Sequence, residues 1–191
     1  VGTGSENMIC YGGYHDPDSW QVPFEKAEHL LPAGYFDADL QQVLPFEQSY
    51  ITEHVKYSWF RNYDGGKHPY DGETVPAYLP KTEKYTWAKA PRYNNKVVQT
   101  GPLAEFMVAQ QPLITDLYQA EGGNTWLRQF ARLRRVSETF LSLRAVLKAL
   151  QVNVNEPYIT PAAEIKEKDG EGFGMVQAAR GSLGHWVKIK D

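Results

Sequence analysis

The residues of this chain that bind metals most often in proteins are one cysteine and five histidines. Soft metal ions are held by thiolate and imidazole groups, which usually occur in closely spaced pairs. Cys10 is the only cysteine, so the chain has neither an internal disulfide nor a thiolate pair. No two histidines are spaced as HxxH or HxxxH, and we therefore expect no zinc site on a helix. The histidines are His15, His29, His54, His68 and His185.

Three short segments are weaker candidates for ligand binding. Gly2-Thr3-Gly4 and Gly172-Phe173-Gly174 each resemble part of a dinucleotide-binding loop, but both lack the further glycine and the strand-then-helix context. Asp16 and Asp18 beside His15 could bind a cation, although Asp-Pro-Asp is first of all a turn sequence. We therefore interpret these segments as structural.

The charge of the chain argues against a nucleic-acid partner. Its formal net charge is −3, and its 42% hydrophobic and 23% charged residues are typical of a globular protein. A group of arginines at positions 128, 132, 134 and 135 could bind phosphate. A helix surface that faces solvent or another protein is the favoured interpretation of this group.

A long amphipathic helix is predicted from Asn124 to Leu150. Large apolar residues recur there at alternating spacings of three and four, which places them on one helix face. Asn124 is expected to be the N-cap, directly after a break at Gly122 and Gly123. Because the apolar face is wide, we expect the helix to pack on a core. This face contains Leu133, Val136, Phe140, Leu143, Leu147 and Leu150, and it is widened by Trp126, Leu127, Phe130 and Leu141.

The remaining segments predict an α+β fold. Residues 1–99 are β-rich, residues 100–152 form a helical hairpin that includes the long helix, and residues 153–191 are a polar connection and a short β return. Pro102 is expected at a first helical position, and Pro112 is expected to break or kink the helix. The predicted strands are residues 8–14, 35–40, 57–60, 85–88, 96–99, 174–179 and 185–190, with a short helix at 48–55.

Three longer strings resemble one known family. Residues 65–78 read GGKHPYDGETVPAY, residues 89–106 read KAPRYNNKVVQTGPLAEF, and residues 177–186 read QAARGSLGHW. In this order and spacing they resemble the internal signature blocks of the large subunit of nickel–iron hydrogenases, and the resemblance implies the uptake type. The opening VGTGSENMICYGGY and residues 51–54 resemble the same family, so the likeness extends over nearly the whole chain.

The resemblance implies a cofactor and partners for a larger protein. In the family, two CxxC pairs hold a nickel–iron centre whose iron carries diatomic ligands, and an iron–sulfur small subunit takes the electrons from dihydrogen. Neither pair is present here, and the chain begins at Val1. We therefore expect one internal fragment, residues 1–191, of a subunit centred on a helix bundle. The fragment alone is expected to be inactive, to hold no metal and to self-associate.

The same resemblance implies one functional side chain. The family block Glu-Ala-Pro-Arg-Gly aligns with Gln177-Ala178-Ala179-Arg180-Gly181. The arginine of that block lies over the open side of the metal pair, so the role carries over to Arg180, whose planar fork can donate to two acceptors. Gln177 stands in place of the family glutamate and Ala179 in place of the proline. A structural arginine in a surface salt bridge is the alternative.

Two other functions stay open at this point. One is a metal-free relative of the same fold that binds quinone in a respiratory complex, and the other is a non-enzymatic aromatic-rich module that binds, for example, carbohydrate. Exposed aromatics such as Trp59 and Trp87 are either scaffold or contacts with the small subunit. Since the sequence has no signal peptide and no membrane-spanning run, we expect a cytoplasmic protein that reaches a membrane only through partners.

Overall fold

A computed structural model describes residues 4–15, 29–152, 155 and 169–190 of the chain. The described residues form a mixed α/β structure with small antiparallel sheets and three α-helices. The strands are β1 (Met8–His15), β2 (His29–Asp37), β3 (Gln42–Leu44), β4 (Ile51–His54), β5 (Ala90–Tyr93), β6 (Gly170–Ala178) and β7 (Gly181–Ile189), and the helices are α1 (Pro102–Val108), α2 (Pro112–Glu121) and α3 (Thr125–Val152).

The residue contacts divide the chain into two compact units. The first unit contains residues 1–46 and 99–191, and the second contains residues 47–98. In the first unit, β1, β2 and β3 form an antiparallel sheet in which Met8 is opposite Phe36 and Tyr35 is opposite Leu44. The strand β1 was expected, whereas β2 is longer than predicted and ends earlier. Asp37 ends it, because its carboxylate accepts hydrogen bonds from the next backbone amides in a turn.

The short helix α1 lies at the centre of the first unit. All seven of its residues are buried, and it packs on β1, β2 and α3. Pro102 occupies its first turn, as the sequence predicted, and Gly101 before it has a φ of 110°. The predicted break at Pro112 is also confirmed, because α1 ends at Val108 and Pro112 begins α2.

The core of this unit contains apolar residues from both the sheet and the helices. Full burial of a side chain as large as Val, Leu, Ile, Phe or Met stabilises a fold by about 1.5–3 kcal/mol. The buried cluster contains Met8, Cys10, Phe36, Leu103, Ala104, Phe106, Met107, Val108, Ile114, Tyr118, Leu127 and Ala131.

The long helix α3 confirms the predicted helix but not its predicted packing. Asn124 caps it, since its Oδ1 accepts a hydrogen bond of 2.9 Å from the amide of Leu127. Only its first turns, at Leu127 and Ala131, reach the core. The predicted core face is instead exposed, from 49% at Leu143 to 73% at Leu133. The prediction was wrong here because, among the described residues, α3 contributes side chains to the buried core only from its first turns, and the rest of the apolar face is left uncovered.

The second unit has little regular structure, and the predictions for residues 48–55, 57–60, 85–88 and 96–99 are corrected here. Residues 48–50 form one turn of 3₁₀-helix, and residues 51–54 form the strand β4, not a helix. β4 pairs with β5, whereas residues 57–60 and 85–88 contribute only isolated bridges. Asn94 and Asn95 form a turn directly after β5, with φ values of 46° and 59°, and residues 96–99 contribute only isolated bridges and not the predicted strand. Side-chain packing decided this pairing, and a short apolar run does not reveal its partner.

The last two strands form a hairpin in the first unit. β6 and β7 pair from Gly170 opposite Ile189 to Ala178 opposite Gly181, so both predicted strands are confirmed and are longer than expected. Most of the predicted connection over residues 153–169 lies outside the described residues, as do Asp16, Asp18 and Gly2-Thr3. In the described ranges there is no helix whose length and apolarity would allow it to cross a membrane.

The exposed face of α3 leads to a test in solution. We expect the purified chain to bind a hydrophobic dye or to self-associate, because Leu143 and Leu147 are about half exposed on a continuous apolar face. Replacing both leucines with Gln should reduce dye fluorescence and the associated fraction. Leu40→Gln is the matched control, because Leu40 is 58% exposed but lies away from α3. Equal dye binding by all variants would show that the α3 face is not responsible.

Candidate functional site

The residues of the predicted site lie at one end of the β6–β7 hairpin. Ala179 and Arg180 form its two-residue turn, and both are exposed. The Arg180 guanidinium makes no hydrogen bond or ion pair with any described residue. The described part of the chain thus offers Arg180 no salt-bridge partner, and its five N–H donors remain available to a ligand.

The turn rests against the segment that precedes α1. Thr100 Oγ1 accepts a hydrogen bond of 2.7 Å from the Ser182 amide and lies 2.8 Å from Ser182 Oγ. The contact is close: a Cβ on Gly101 would lie 3.1 Å from the Arg180 carbonyl oxygen, and one on Gly181 would lie 2.7 Å from the Thr100 side chain. Both glycines are therefore required for the turn to approach this segment.

Gln177 holds the hairpin from its buried side. Its Oε1 accepts hydrogen bonds from Ser182 Oγ at 2.7 Å and from the Tyr11 amide at 3.3 Å. Its Nε2 donates to Glu105 Oε1 at 3.1 Å, and its carbonyl oxygen accepts from Arg135 at 3.3 Å. These bonds are directed into the protein, so the Gln177 side chain contacts Glu105 and does not orient the Arg180 guanidinium directly.

Glu105 is the buried charge of this region. Its side chain is 1% exposed, and its Oε2 accepts a hydrogen bond of 2.6 Å from Arg135 Nε, a residue that is itself 14% exposed. Burial raises the pKa of Glu105, while Arg135 and the Gln177 amide oppose that rise. Removing one partner of such a buried pair typically costs about 3–5 kcal/mol, because the remaining charge loses both water and its counter-ion.

An open cleft lies between α3 and the end of β6. Its volume is about 630 Å³. Its wall is mainly apolar and includes Val136 and Val176, and arginines at positions 132 and 135 supply its positive charge. Ala179 lies at its edge, next to Arg180 in the turn. A guanidinium at this turn can donate to an anionic or polar group placed at the mouth of the cleft.

Sequence reasoning missed Glu105, Arg135, Thr100 and Ser182 as site residues. Glu105 was noticed only as part of the string at residues 89–106 and as an acidic residue near a helix N-terminus, and Arg135 only as part of a charged helix surface. One signal was available: Glu105 is a lone carboxylate within the apolar helix sequence Leu-Ala-Glu-Phe-Met-Val. A charge in that position requires a buried partner, although the sequence does not show which residue supplies it.

The comparisons with known proteins agree with the signature strings. The family model described as nickel-dependent hydrogenase matches residues 1–191. The chain belongs to this family. It is 29% identical to the uptake hydrogenase large subunit of Azotobacter chroococcum mcd 1 and 31% identical to the periplasmic [NiFeSe] hydrogenase large subunit of Desulfomicrobium baculatum. All of this chain is covered in both cases, but only 39% and 38% of the relatives.

A solved structure gives the same result for the fold. The oxidised Ni-Fe-Se hydrogenase from D. vulgaris Hildenborough matches all of this chain with a TM-score of 0.74 and 30% identity, and 41% of that hydrogenase chain is covered. The chain therefore spans about two fifths of the length of the hydrogenase subunits that it matches, and its mixed α/β fold is that of a hydrogenase large-subunit segment.

The described residues do not fit a nickel–iron centre by themselves. Thiolates are the ligands that such soft metals require. The thiol of Cys10 is buried, and burial raises its pKa to about 12, so it is protonated at neutral pH. Over residues 4–15, 29–152, 155 and 169–190, no three His, Cys, Asp or Glu side chains come together as a metal site.

The state of Cys10 can be tested with a thiol reagent. A pKa of about 12 instead of the usual 9.0 lowers the thiolate fraction at pH 8 about a thousandfold, and burial further limits access. We expect alkylation of the folded chain at pH 8 to be slower than that of the unfolded chain by at least this factor. Ala120→Cys provides an exposed thiol in the same molecule, which should react at the rate of an ordinary cysteine. Equal rates for both thiols would contradict the buried position of Cys10.

Proposed function

We propose that this chain is an internal part of a hydrogenase large subunit whose complete form oxidises dihydrogen at a nickel–iron centre. The electrons would pass to an iron–sulfur small subunit. The observation that carries the proposal is the family match over the full length of the chain, together with an arginine turn beside an open cleft. We also propose that the iron of this centre carries diatomic ligands in the complete subunit.

Arg180 is the residue to which we assign a role in the reaction. Arg180 is exposed at a turn that packs closely on the segment before α1: the Ser182 amide donates to Thr100 Oγ1, and the Arg180 carbonyl lies close to Gly101. These contacts hold the backbone from which the guanidinium extends. Such a preorganised donor stabilises charge that develops on a neighbouring ligand during bond cleavage. A guanidinium has five N–H donors and no acceptor, so the role proposed for Arg180 is to donate hydrogen bonds.

The isolated chain is proposed to be inactive. Its single thiol is protonated and buried, and the described residues provide no other soft ligand set. The exposed apolar face of α3 would in this case be covered by other parts of the complete subunit. The proposed compartment is the cytoplasm, with membrane association through partners, although the name of the Desulfomicrobium relative places that protein in the periplasm.

An aromatic surface in the second unit is a candidate contact for the small subunit. Trp87 is 48% exposed and stacks on Tyr78, while Tyr57 stacks on Tyr85. A carbohydrate-binding module requires coplanar exposed rings and no exposed apolar helix face. Both ring pairs are stacked, with interplanar angles of 22° and 29°, which is not evidence of one coplanar platform, and the exposed face of α3 does not meet the second requirement. We therefore favour the subunit contact.

Replacing Arg180 with Lys in the complete enzyme tests the assigned role. The charge is kept, but the planar fork and the simultaneous reach to two acceptors are lost. We expect hydrogen turnover to fall by about a hundredfold to a thousandfold. Nickel and iron content should stay near normal, because the metal ligands lie elsewhere. Turnover is measured by hydrogen uptake and metal content by elemental analysis.

The matched control is Arg144→Lys, since Arg144 is also exposed but lies on α3. It should leave turnover and metal content unchanged. If Arg180→Lys loses both metal and turnover, Arg180 supports assembly and not the reaction. If it retains both, the residue lies away from the chemistry.

A further inference from the structure

Gln177 and Glu105 form a matched pair of hydrogen-bonding groups below the arginine turn. The Gln177 amide is 4% exposed, and both of its polar atoms are in use. Its Oε1 accepts from Tyr11 and Ser182, so its Nε2 is the atom left to face the Glu105 carboxylate at 3.1 Å. This arrangement requires a donor at position 177 for as long as position 105 carries a negative charge.

A carboxylate at position 177 would not satisfy the same contacts. Glutamate has nearly the same shape as glutamine, but it would place a second buried anion about 3 Å from Glu105. Two carboxylates at that distance cannot both be ionised, and one of them must take up a proton. Arg135 already donates its Nε to Glu105, and its other contact in this network is the Gln177 backbone carbonyl. The cation is therefore already engaged by one of the two anions.

Hydrogen bonds connect Glu105 and Gln177 to the Ala179–Arg180 turn. Gln177 lies two residues before Ala179, and it also bonds to Ser182, which lies two residues after Arg180. Ser182 in turn bonds to Thr100, next to the start of α1. The two ends of the turn are thus held by Gln177 and Thr100, and Glu105 on α1 and Arg135 on α3 hold Gln177.

We propose that Glu105 and Gln177 are reciprocal positioning residues, which fix the Ala179–Arg180 turn and require one carboxylate and one amide between them. The inference rests on the proposed function of Arg180 for its consequence, but the coupling itself involves only residues of this chain. It also accounts for Gln177, which stands where the resembling block has glutamate: Glu105 supplies the carboxylate of the pair.

The test uses Gln177→Glu, Glu105→Gln and the reciprocal double variant in the protein that carries this chain. Hydrogen exchange of a peptide spanning residues 176–183 reports on the turn, because the Ser182 amide is protected by Thr100. A peptide that contains β5 is the internal reference. We expect Gln177→Glu to accelerate exchange of the turn peptide about tenfold or more at neutral pH, while the reference peptide is unchanged.

Two further measurements separate positioning from simple packing. The reciprocal double variant restores one carboxylate and one amide, so protection of the turn should return to within about threefold of the parent, although each single change disturbs it. Lowering the pH should also restore protection in Gln177→Glu, because a protonated glutamate can donate to Glu105 as the amide does. Among the described residues, the charged and titratable groups near the pair are Arg135 on α3, Cys10 on β1 and Glu138, which lines the same small cavity as Glu105; the raised pKa keeps Cys10 neutral.

The control is Gln119→Glu, which makes the same chemical change at an exposed position of α2 and should alter nothing. Turnover should fall about a hundredfold in Gln177→Glu, as expected for a catalytic group displaced by about 1 Å, and recover in the double variant. Unchanged exchange of the turn peptide in Gln177→Glu, or a double variant no better protected than the single ones, would overturn the inference. Both hydrogen-exchange measurements are independent of the Arg180→Lys experiment. A failure of the proposed function can therefore be distinguished from a failure of this inference.

Discussion

The buried carboxylate of Glu105 constrains the first unit more than any other group in it. A charge that is 1% exposed must be paired and hydrogen-bonded, since its hydration is lost on folding. Arg135 supplies the counter-ion and Gln177 supplies the second donor. One side chain therefore connects α1, α3 and β6, and through the Tyr11 amide the network also reaches β1.

This network holds the β6–β7 hairpin at Gln177, while the turn at Ala179 and Arg180 is exposed. The β6–β7 hairpin alone would be marginally stable, because an isolated pair of strands buries little apolar surface. Met175 and Gln177 turn toward the unit, and alternation along the strand leaves Val176 on the open side at the cleft. Arg180 is thus held by its backbone while its guanidinium has no partner among the described residues. That combination is appropriate for a group that binds a ligand held by other parts of a protein.

The helix α3 has two different parts. Its first turns carry Leu127 and Ala131 into the core, and Arg135 ends this packed part at the ion pair. Beyond Arg135 the same apolar periodicity continues, but no described element covers it. The regular spacing of leucines therefore predicts the helix and its apolar face equally well in both parts. Whether such a face is buried depends on neighbours that lie elsewhere in a chain or in another protein.

The sequence by itself determined the starts of the helices, the last two strands and the family. Pro102, Pro112 and Asn124 act on their own backbone within one helical turn, so the starts of all three helices could be predicted. The signature strings identified the family for a similar reason, because their residues are contiguous. Strand pairing in the second unit was predicted poorly, since short apolar runs do not determine which partner they meet.

Only the tertiary structure decided what Gln177 does. From the sequence alone, glutamine in place of the family glutamate at position 177 meant only that a charge near Arg180 is lost. In the fold, its amide faces Glu105, which is 72 residues away along the chain. The interaction depends on burial, because a charge and an amide at this distance matter little in water but strongly where water is excluded. Burial is a property of the packed elements together, and no local pattern in the sequence carries it.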